Sequence, residues 1–344
     1  MRLRGFLCTG VVVAIVLLAA CGGDDPTPTP IPATATAGVE SPLAVPAEPD
    51  AGAGFVSPLS NQVAPHAESD AADHEHVVAA NATDRVQVVL VPSELVVGLN
   101  RFAIGLLDGQ GEMIDDADVH FHFVDLTDPR NAVTMGKTDA ERLVAPDGDV
   151  AIYAHEWDFA QSGGWGVEVQ VRWPDGRSAV ERMAFTVVDD AASISPGESA
   201  PVIDTPTLAN VGGDYSRLTS ALEPNPAFYA QTLNEAVASG KPTLVLLATP
   251  AFCRTRFCGP AYETANELYA QFGDRMNFIH LEIYSGLPNP AERGWQIAPS
   301  VTAFGVQSEP WVYLIDARGT VVYRVEGLFT AEEIERELHA LLQL

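Results

Sequence analysis

The 344-residue sequence predicts a multidomain chain, an antiparallel β-sandwich over residues 85–190 followed by an α/β layer domain over residues 214–344. Three observations predict it. Between Val86 and Val188 apolar residues recur with period two. From Asn225 onward helical stripes alternate with short, continuously apolar strands, the pattern of an α/β layer fold. Residues 191–213 separate the two as a linker, with Ser195-Pro196-Gly197 and Asp204-Thr205-Pro206 supplying turn chemistry.

Ahead of both lies a leader. Arg2 and Arg4 precede an apolar run from Val11 to Ala20, which ends at Leu18-Ala19-Ala20-Cys21-Gly22. A basic start, a short apolar segment and small residues before a cut mark a signal peptide over residues 1–20, and the pattern resembles a bacterial lipoprotein signal. The run is shorter than the roughly 20 residues a spanning helix needs. On this reading Cys21 becomes the acylated N-terminus and holds the chain at a membrane, while Cys8 leaves with the leader. Residues 21–84 are rich in Pro, Ala, Thr and acidic side chains and poor in periodic apolar residues, so they are expected to form a disordered acidic tether. Within it, Asp73-His74-Glu75-His76 offers metal-ligand types, but without a third ordered ligand it reads as a solvated acidic tract.

The sequence holds 19 basic and 46 acidic residues, a formal charge of −27, which becomes about −29 once Arg2 and Arg4 are removed. Such a balance excludes nucleic acid as a partner. Cys253 and Cys258 are then the two cysteines of the folded part, outside the cytoplasm, where disulfides persist.

In the first domain Phe102, Ile104 and Leu106 alternate before the Asp108-Gly109 turn, and Val119, Phe121 and Phe123 alternate with Asp118, His120 and His122. Trp165, Val167, Val169, Val171 and Trp173 lead through Pro174-Asp175-Gly176 into a return strand with Met183, Phe185 and Val187, a hairpin with its apolar face inward. Short strands, turn signals and no helical stripe argue for an immunoglobulin-like sandwich, without the Cys…Trp…Cys signature of antibody domains. His120 and His122 share one strand face and read as solvent-facing rather than as ligands.

In the second domain Pro226–Ser239 is expected as a helix closed by Gly240, and Thr243–Ala248 as a buried strand. Ala261–Phe272 carries an apolar helical stripe, and Met276–Ile283 is a strand. Trp311–Ile315 and Val321–Val325 flank Asp316–Gly319 as a hairpin, and Thr330-Ala331-Glu332-Glu333 is a capping box opening a last helix. Between the first strand and the second helix stands Thr249-Pro-Ala-Phe-Cys253-Arg-Thr-Arg-Phe-Cys258-Gly-Pro260.

Cys258-Gly259-Pro260 at a strand-to-helix turn, with Ser308-Glu309-Pro310 opening a later strand, resembles the thioredoxin-like family over about the last third of the chain. The resemblance implies a thiol–disulfide exchange site with Pro310 as a cis proline packed against the cysteines. The family's usual Trp-Cys-Gly-Pro-Cys differs, because here four residues separate the pair. Matched end to end, Cys253 is the nucleophile and Cys258 the resolving thiol. Matched on Phe257-Cys258-Gly259-Pro260-Ala261, Cys258 takes the nucleophile's place and Cys253 resolves from upstream. This second match puts Cys258 at a helix N-terminus, where unpaired N–H groups stabilise thiolate. Arg254 and Arg256 would lower a thiol pKa if they lay beside a sulfur. Leu247 replaces the buried carboxylate that thioredoxins carry six residues before their first cysteine, so the proton relay has no residue there.

The chemistry these residues support is exchange, a thiolate attacking a disulfide and a second thiol resolving the product. The expected site is Cys253 and Cys258, supported by Phe257, Gly259, Pro260, Glu309, Pro310, Arg254 and Arg256, with no cofactor and no metal. Expected partners are thiol- or disulfide-bearing exported proteins. The alternatives are an inert bridge in an interaction module, or copper handling as in the thioredoxin-like copper-delivery proteins. The last would need a histidine, and His280, inside a predicted central strand, reads as a core residue.

Overall fold

The computed structural model describes residues 85–128 and 130–344. The leader, Cys21, the tether and its Asp73–His76 tract lie outside the described residues. No helix among the described residues is long and apolar enough to cross a membrane.

Eight strands come first: β1 (Gln87–Leu90), β2 (Gly98–Leu107), β3 (Asp118–Asp125), β4 (Val133–Asp139), β5 (Glu141–Val144), β6 (Ala151–Phe159), β7 (Gly163–Arg172) and β8 (Ser178–Val187). They form two antiparallel sheets, ordered β1-β2-β6-β5 and β4-β3-β7-β8. Period-two alternation sends Phe102, Ile104 and Tyr153 of one sheet against Phe121, Phe123, Trp165 and Val169 of the other in a single core. Phe102 meets Phe121 and Phe123 edge-on at 5.2 and 5.0 Å between ring centres. The β7–β8 hairpin turns at Gly176, whose φ of +92° suits glycine. His120 and His122 are each held by a carboxylate of their own, Asp139 at 2.6 Å and Glu168 at 3.5 Å, and His122 is largely covered rather than solvent-facing.

The second unit runs α1 (Leu233–Ala238), β9 (Thr243–Leu247), α2 (Cys258–Phe272), β10 (Asn277–Leu281), α3 (Pro299–Phe304), β11 (Trp311–Ile315), β12 (Val321–Glu326) and α4 (Ala331–Leu342). The sheet order is β10-β9-β11-β12, with β10 parallel to β9 and β11 antiparallel to both of its neighbours. Both faces are covered. Leu244 and Leu246 pack with Ala261 and Leu268 of α2 and Ile334 and Leu338 of α4. Val245 and Leu247 pack with Leu233 of α1 and Val301 and Phe304 of α3. This is the element order that the thioredoxin-like resemblance implied.

Several elements differ from expectation. The helix expected over Pro226–Ser239 is two pieces, a 3-10 turn at Pro226–Tyr229 and then α1, because Thr232 caps a new start by a capping box with Glu235. The helix expected from Ala261 begins three residues earlier, at Cys258. The capping box at Thr330 is half made: Thr330 accepts from the Glu333 N–H, while the Glu333 carboxylate is taken by Arg101 of β2. Residues 191–213 do not hang free, since Ile194, Ala200 and Ile203 lie on the α/β core and Ser199 bridges to Thr320.

The two units meet across a second apolar cluster. The outer face of the β1-β2-β6-β5 sheet, including Ala103, Ile152 and Ala154, packs with Val91, Phe257 and Leu328. A Cβ on Gly327 would overlap Val91, so the close approach requires glycine there. Around the cluster, Arg101 bonds the Glu333 carboxylate and the Leu328 carbonyl, Arg324 bonds Glu94 at 2.9 Å, and the Ser93 N–H donates to Glu326 at 2.7 Å. A cleft of about 880 Å³ lies along this junction, lined among others by Glu94, Arg101, Glu156 and Arg324.

Candidate active site

The loop leaving β9 wraps back to deliver both sulfurs to the start of α2. Phe252 N–H closes a turn on the Thr249 carbonyl, the Ala251 N–H donates to Ser220, and Arg256 stands at φ +64° in the left-handed region. Four residues between the cysteines are enough for this extra turn. No side chain caps α2. The Cys258 N–H, one of the helix's unpaired donors, instead donates to Cys253 Sγ at 3.3 Å. Thr255 Oγ1 stands 3.2 Å from the same sulfur, 3.4 Å from the Glu309 carbonyl, and accepts from the Phe257 N–H.

The two thiols are unbonded and unequal. Cys253 is half-buried and Cys258 fully buried. Hydrogen bonds from Cys258 and Thr255 outweigh burial at Cys253 and bring its thiol down to about 6. Burial, followed by the bond to Cys253 and the charge of Glu309, pushes the Cys258 thiol well up. The first N–H of α2 thus serves the upstream sulfur. The leading causes at Cys253 are hydrogen bonds rather than arginine charges, and Arg254 and Arg256 are exposed.

A buried carboxylate is present after all, from a different strand. Glu309, joined to Pro310 by a cis peptide bond at the head of β11, is 4% exposed. Its carboxylate lies within 4.8 Å of both sulfurs. Burial first, then the charges of Cys253 and Glu282, push this carboxyl up to about 9, partly offset by the backbone N–H and the charge of Arg254. Glu309 Oε2 has no hydrogen-bond partner. Leu247, where a thioredoxin carboxylate would stand, packs in the opposite apolar layer with α1 and α3.

The remaining expected residues divide. Pro260 is buried in the first turn of α2, and the Gly327 N–H donates to the Pro310 carbonyl. Gly259 has open space where a Cβ would stand, so no close approach requires it. Phe257 faces away from the sulfurs into the junction cluster. His280 is buried and fully used: its Nε2–H donates to the Ala248 carbonyl at 3.0 Å, which leaves Nδ1 to accept from the Tyr229 hydroxyl at 2.8 Å. Burial drives its pKa down to about 4, so it is neutral.

Three features were not read from the sequence as parts of the site. Thr255 is one, and its spacing of two from Cys253 was the available signal. Glu282, just after β10, is another; burial lifts it to about 7 while it accepts from the Ser220 N–H. The third is an aromatic group built on Phe252, the residue before Cys253, in which Trp295 meets Phe252 and Tyr284 edge-on at 5.7 and 5.2 Å.

No family model matches the chain, and no curated protein matches it. Among solved structures it is similar to a putative thiol:disulfide interchange protein DsbE from Chlorobium tepidum, at 15% identity, over 44% of this chain and 99% of that one, with a TM-score of 0.32. A thioredoxin family thiol:disulfide interchange protein from Chlorobium tepidum TLS is similar at 16% identity, over 43% and 98% of the two chains, with a TM-score of 0.30. CopC from Methylosinus trichosporium OB3b matches at 13% identity, over 30% and 97%, with a TM-score of 0.21. Likeness of this degree says nothing about ligand or substrate.

Proposed function

We propose that the chain is a thiol–disulfide oxidoreductase of the extracytoplasmic space, tethered to a membrane through an acylated Cys21, with Cys253 as nucleophile and Cys258 as resolving thiol. An immunoglobulin-like sandwich beside the exchange domain and an acidic tether completes the proposal. The observation that carries it is the asymmetry of the pair: a half-buried Cys253 sulfur that accepts from the Cys258 N–H and lies 3.2 Å from the Thr255 hydroxyl, above a buried Cys258 beside Glu309.

In the reducing direction, Cys253 thiolate attacks one sulfur of a substrate disulfide; a mixed disulfide forms and a substrate thiolate leaves. Forming that bond removes the Cys253 charge, one of the causes holding Glu309 up, so the Glu309 carboxyl falls towards ionisation when a base is needed. It gives its proton to the departing substrate thiolate and, as a carboxylate, takes the Cys258 proton. Cys258 sulfur then attacks Cys253, the internal disulfide forms, and the second substrate thiol departs. Two thiols of the enzyme are oxidised and one substrate disulfide is reduced. In reverse, protonated Glu309 donates to the departing Cys258 thiolate. Substrates are exported proteins bearing thiols or disulfides, and nucleic acid has no place in the reaction.

The test is trapping. The Cys258→Ser chain incubated with a disulfide-bearing peptide should accumulate a mixed disulfide at Cys253, visible by mass, and Cys253→Ser should accumulate none. Equal trapping at Ser-substituted and native chains, or exchange unaffected by either change, would leave only an inert bridge in an interaction module.

A further inference from the structure

We infer that the reduced site is also a binding site for a single zinc ion, held by Cys253 Sγ, Cys258 Sγ and a Glu309 carboxylate oxygen. These three atoms lie within 4.8 Å of one another, the only such convergence of three histidine, cysteine or acidic side chains among the described residues. All three groups are acids. The cation beside them is the exposed Arg254, whose backbone N–H and charge reach Glu309 without outweighing its burial. The buried Glu309 Oε2 atom, which has no hydrogen-bond partner, is an independent sign, an acceptor at this site that no protein group uses.

The donor set selects the ion. Two thiolates suit zinc or copper(I), but a carboxylate oxygen is a hard ligand that copper(I) does not favour and zinc accepts. The histidine a copper reading requires is not free, because both His280 nitrogens are engaged with Tyr229 and Ala248. Zinc bonds of about 2.3 Å to sulfur and about 2.0–2.2 Å to oxygen bring tetrahedral ligands closer together than the present spacing. Cys253, half-buried on its loop, is the ligand that can close the difference and also the route of entry. The bonds it accepts from the Cys258 N–H and stands ready to accept from Thr255 become the outer bonds that orient a metal-bound sulfur. Binding releases the protons held on Cys258 and Glu309.

The inference rests on the same dithiol as the exchange reading and adds a redox gate to it. Reaction with a substrate disulfide joins Cys253 to Cys258, removes two ligands and expels the ion; zinc on the dithiol in turn blocks exchange. The experiment uses the full chain, reduced and freed of reductant, titrated with zinc alone by equilibrium dialysis with metal analysis and with cobalt(II) as a spectroscopic stand-in. We expect one ion per chain, a thiolate-to-cobalt charge-transfer band, complete loss after oxidation to the internal disulfide, and an affinity lower by roughly tenfold or more in Glu309→Gln. The oxidation arm needs no variant. Equal zinc binding by the native and the Cys253→Ser/Cys258→Ser chains would overturn the inference, moving the ion to the Asp73-His74-Glu75-His76 tract. Unchanged affinity in Glu309→Gln would overturn it as well. Exchange activity of the metal-free chain is measured separately, so that zinc binding without exchange sinks only the exchange reading, and exchange without zinc sinks only this one.

Discussion

The two units of the chain bury different things. In the β-sheet unit the core is aromatic and aliphatic, and among the described residues none of its charged side chains is buried. The α/β unit buries Glu282, Glu309, Asp316, Glu326 and Glu333, and Glu282 and Glu309 each keep an oxygen without a partner. Taking a carboxyl out of water costs stability unless it is neutralised or well bonded. The cost of buried carboxyls therefore falls on the second unit and not on the first.

The largest expected effect lies in the β-sheet unit. Phe121→Ala, which empties a fully buried aromatic site, should cost about 3–5 kcal/mol in urea unfolding. In the folded variant the pH midpoint of Cys253 alkylation should stay near 6, because no described group of the sandwich core sets it. A shifted midpoint would break the division and show that the junction at Phe257 transmits strain to the sulfurs.

Next comes Glu326, which lies at the junction between the units. It accepts from Ser93 and Ser308, and burial pushes its carboxyl up from 4.5 to about 7. A raised acid favours the folded state while protonated, so its contribution is fully present below pH 4.5 and is lost as pH rises through about 7. Glu326→Gln should flatten that decline, and be more stable than the native chain at pH 8 by on the order of 1–3 kcal/mol. Thermal unfolding at pH 5 and pH 8 measures it, and an unchanged slope would mean that the burial of this carboxyl has no bearing on stability.

The smallest effect tests the site alone. Thr255→Val removes the hydroxyl 3.2 Å from Cys253 Sγ, one of the contacts that lower its thiol, and should raise the alkylation midpoint above about 6 with little change in stability. If Arg254→Ala or Arg256→Ala moves the midpoint further, charge rather than hydrogen bonding controls the thiol.

Much of the fold was legible because strand and helix periods repeat along the chain. Phe102 and Ile104, Phe121 and Phe123, and the five-residue run Thr243–Leu247 carry their burial in their spacing. The cysteine pair and Pro310 were legible as a local motif. The outward burial of Ala103, Ile152 and Ala154 was not, since alternation marks one inner face and cannot say that the other is covered too.

What the sequence by itself determined is that antiparallel β structure precedes α/β structure, and that two cysteines and Pro310 stand in the second. Only the tertiary structure decided which thiol is the less buried, since an extra turn in the loop swings Cys253 onto the N-terminus that the order of residues assigns to Cys258. It also supplied the missing carboxylate. Glu309 is 51 residues beyond Cys258 in the chain, and only the antiparallel pairing of β11 beside β9 sets it under the sulfurs. Periodicity records which side of an element is buried; contacts between distant elements leave no such record, and the site is made of those contacts.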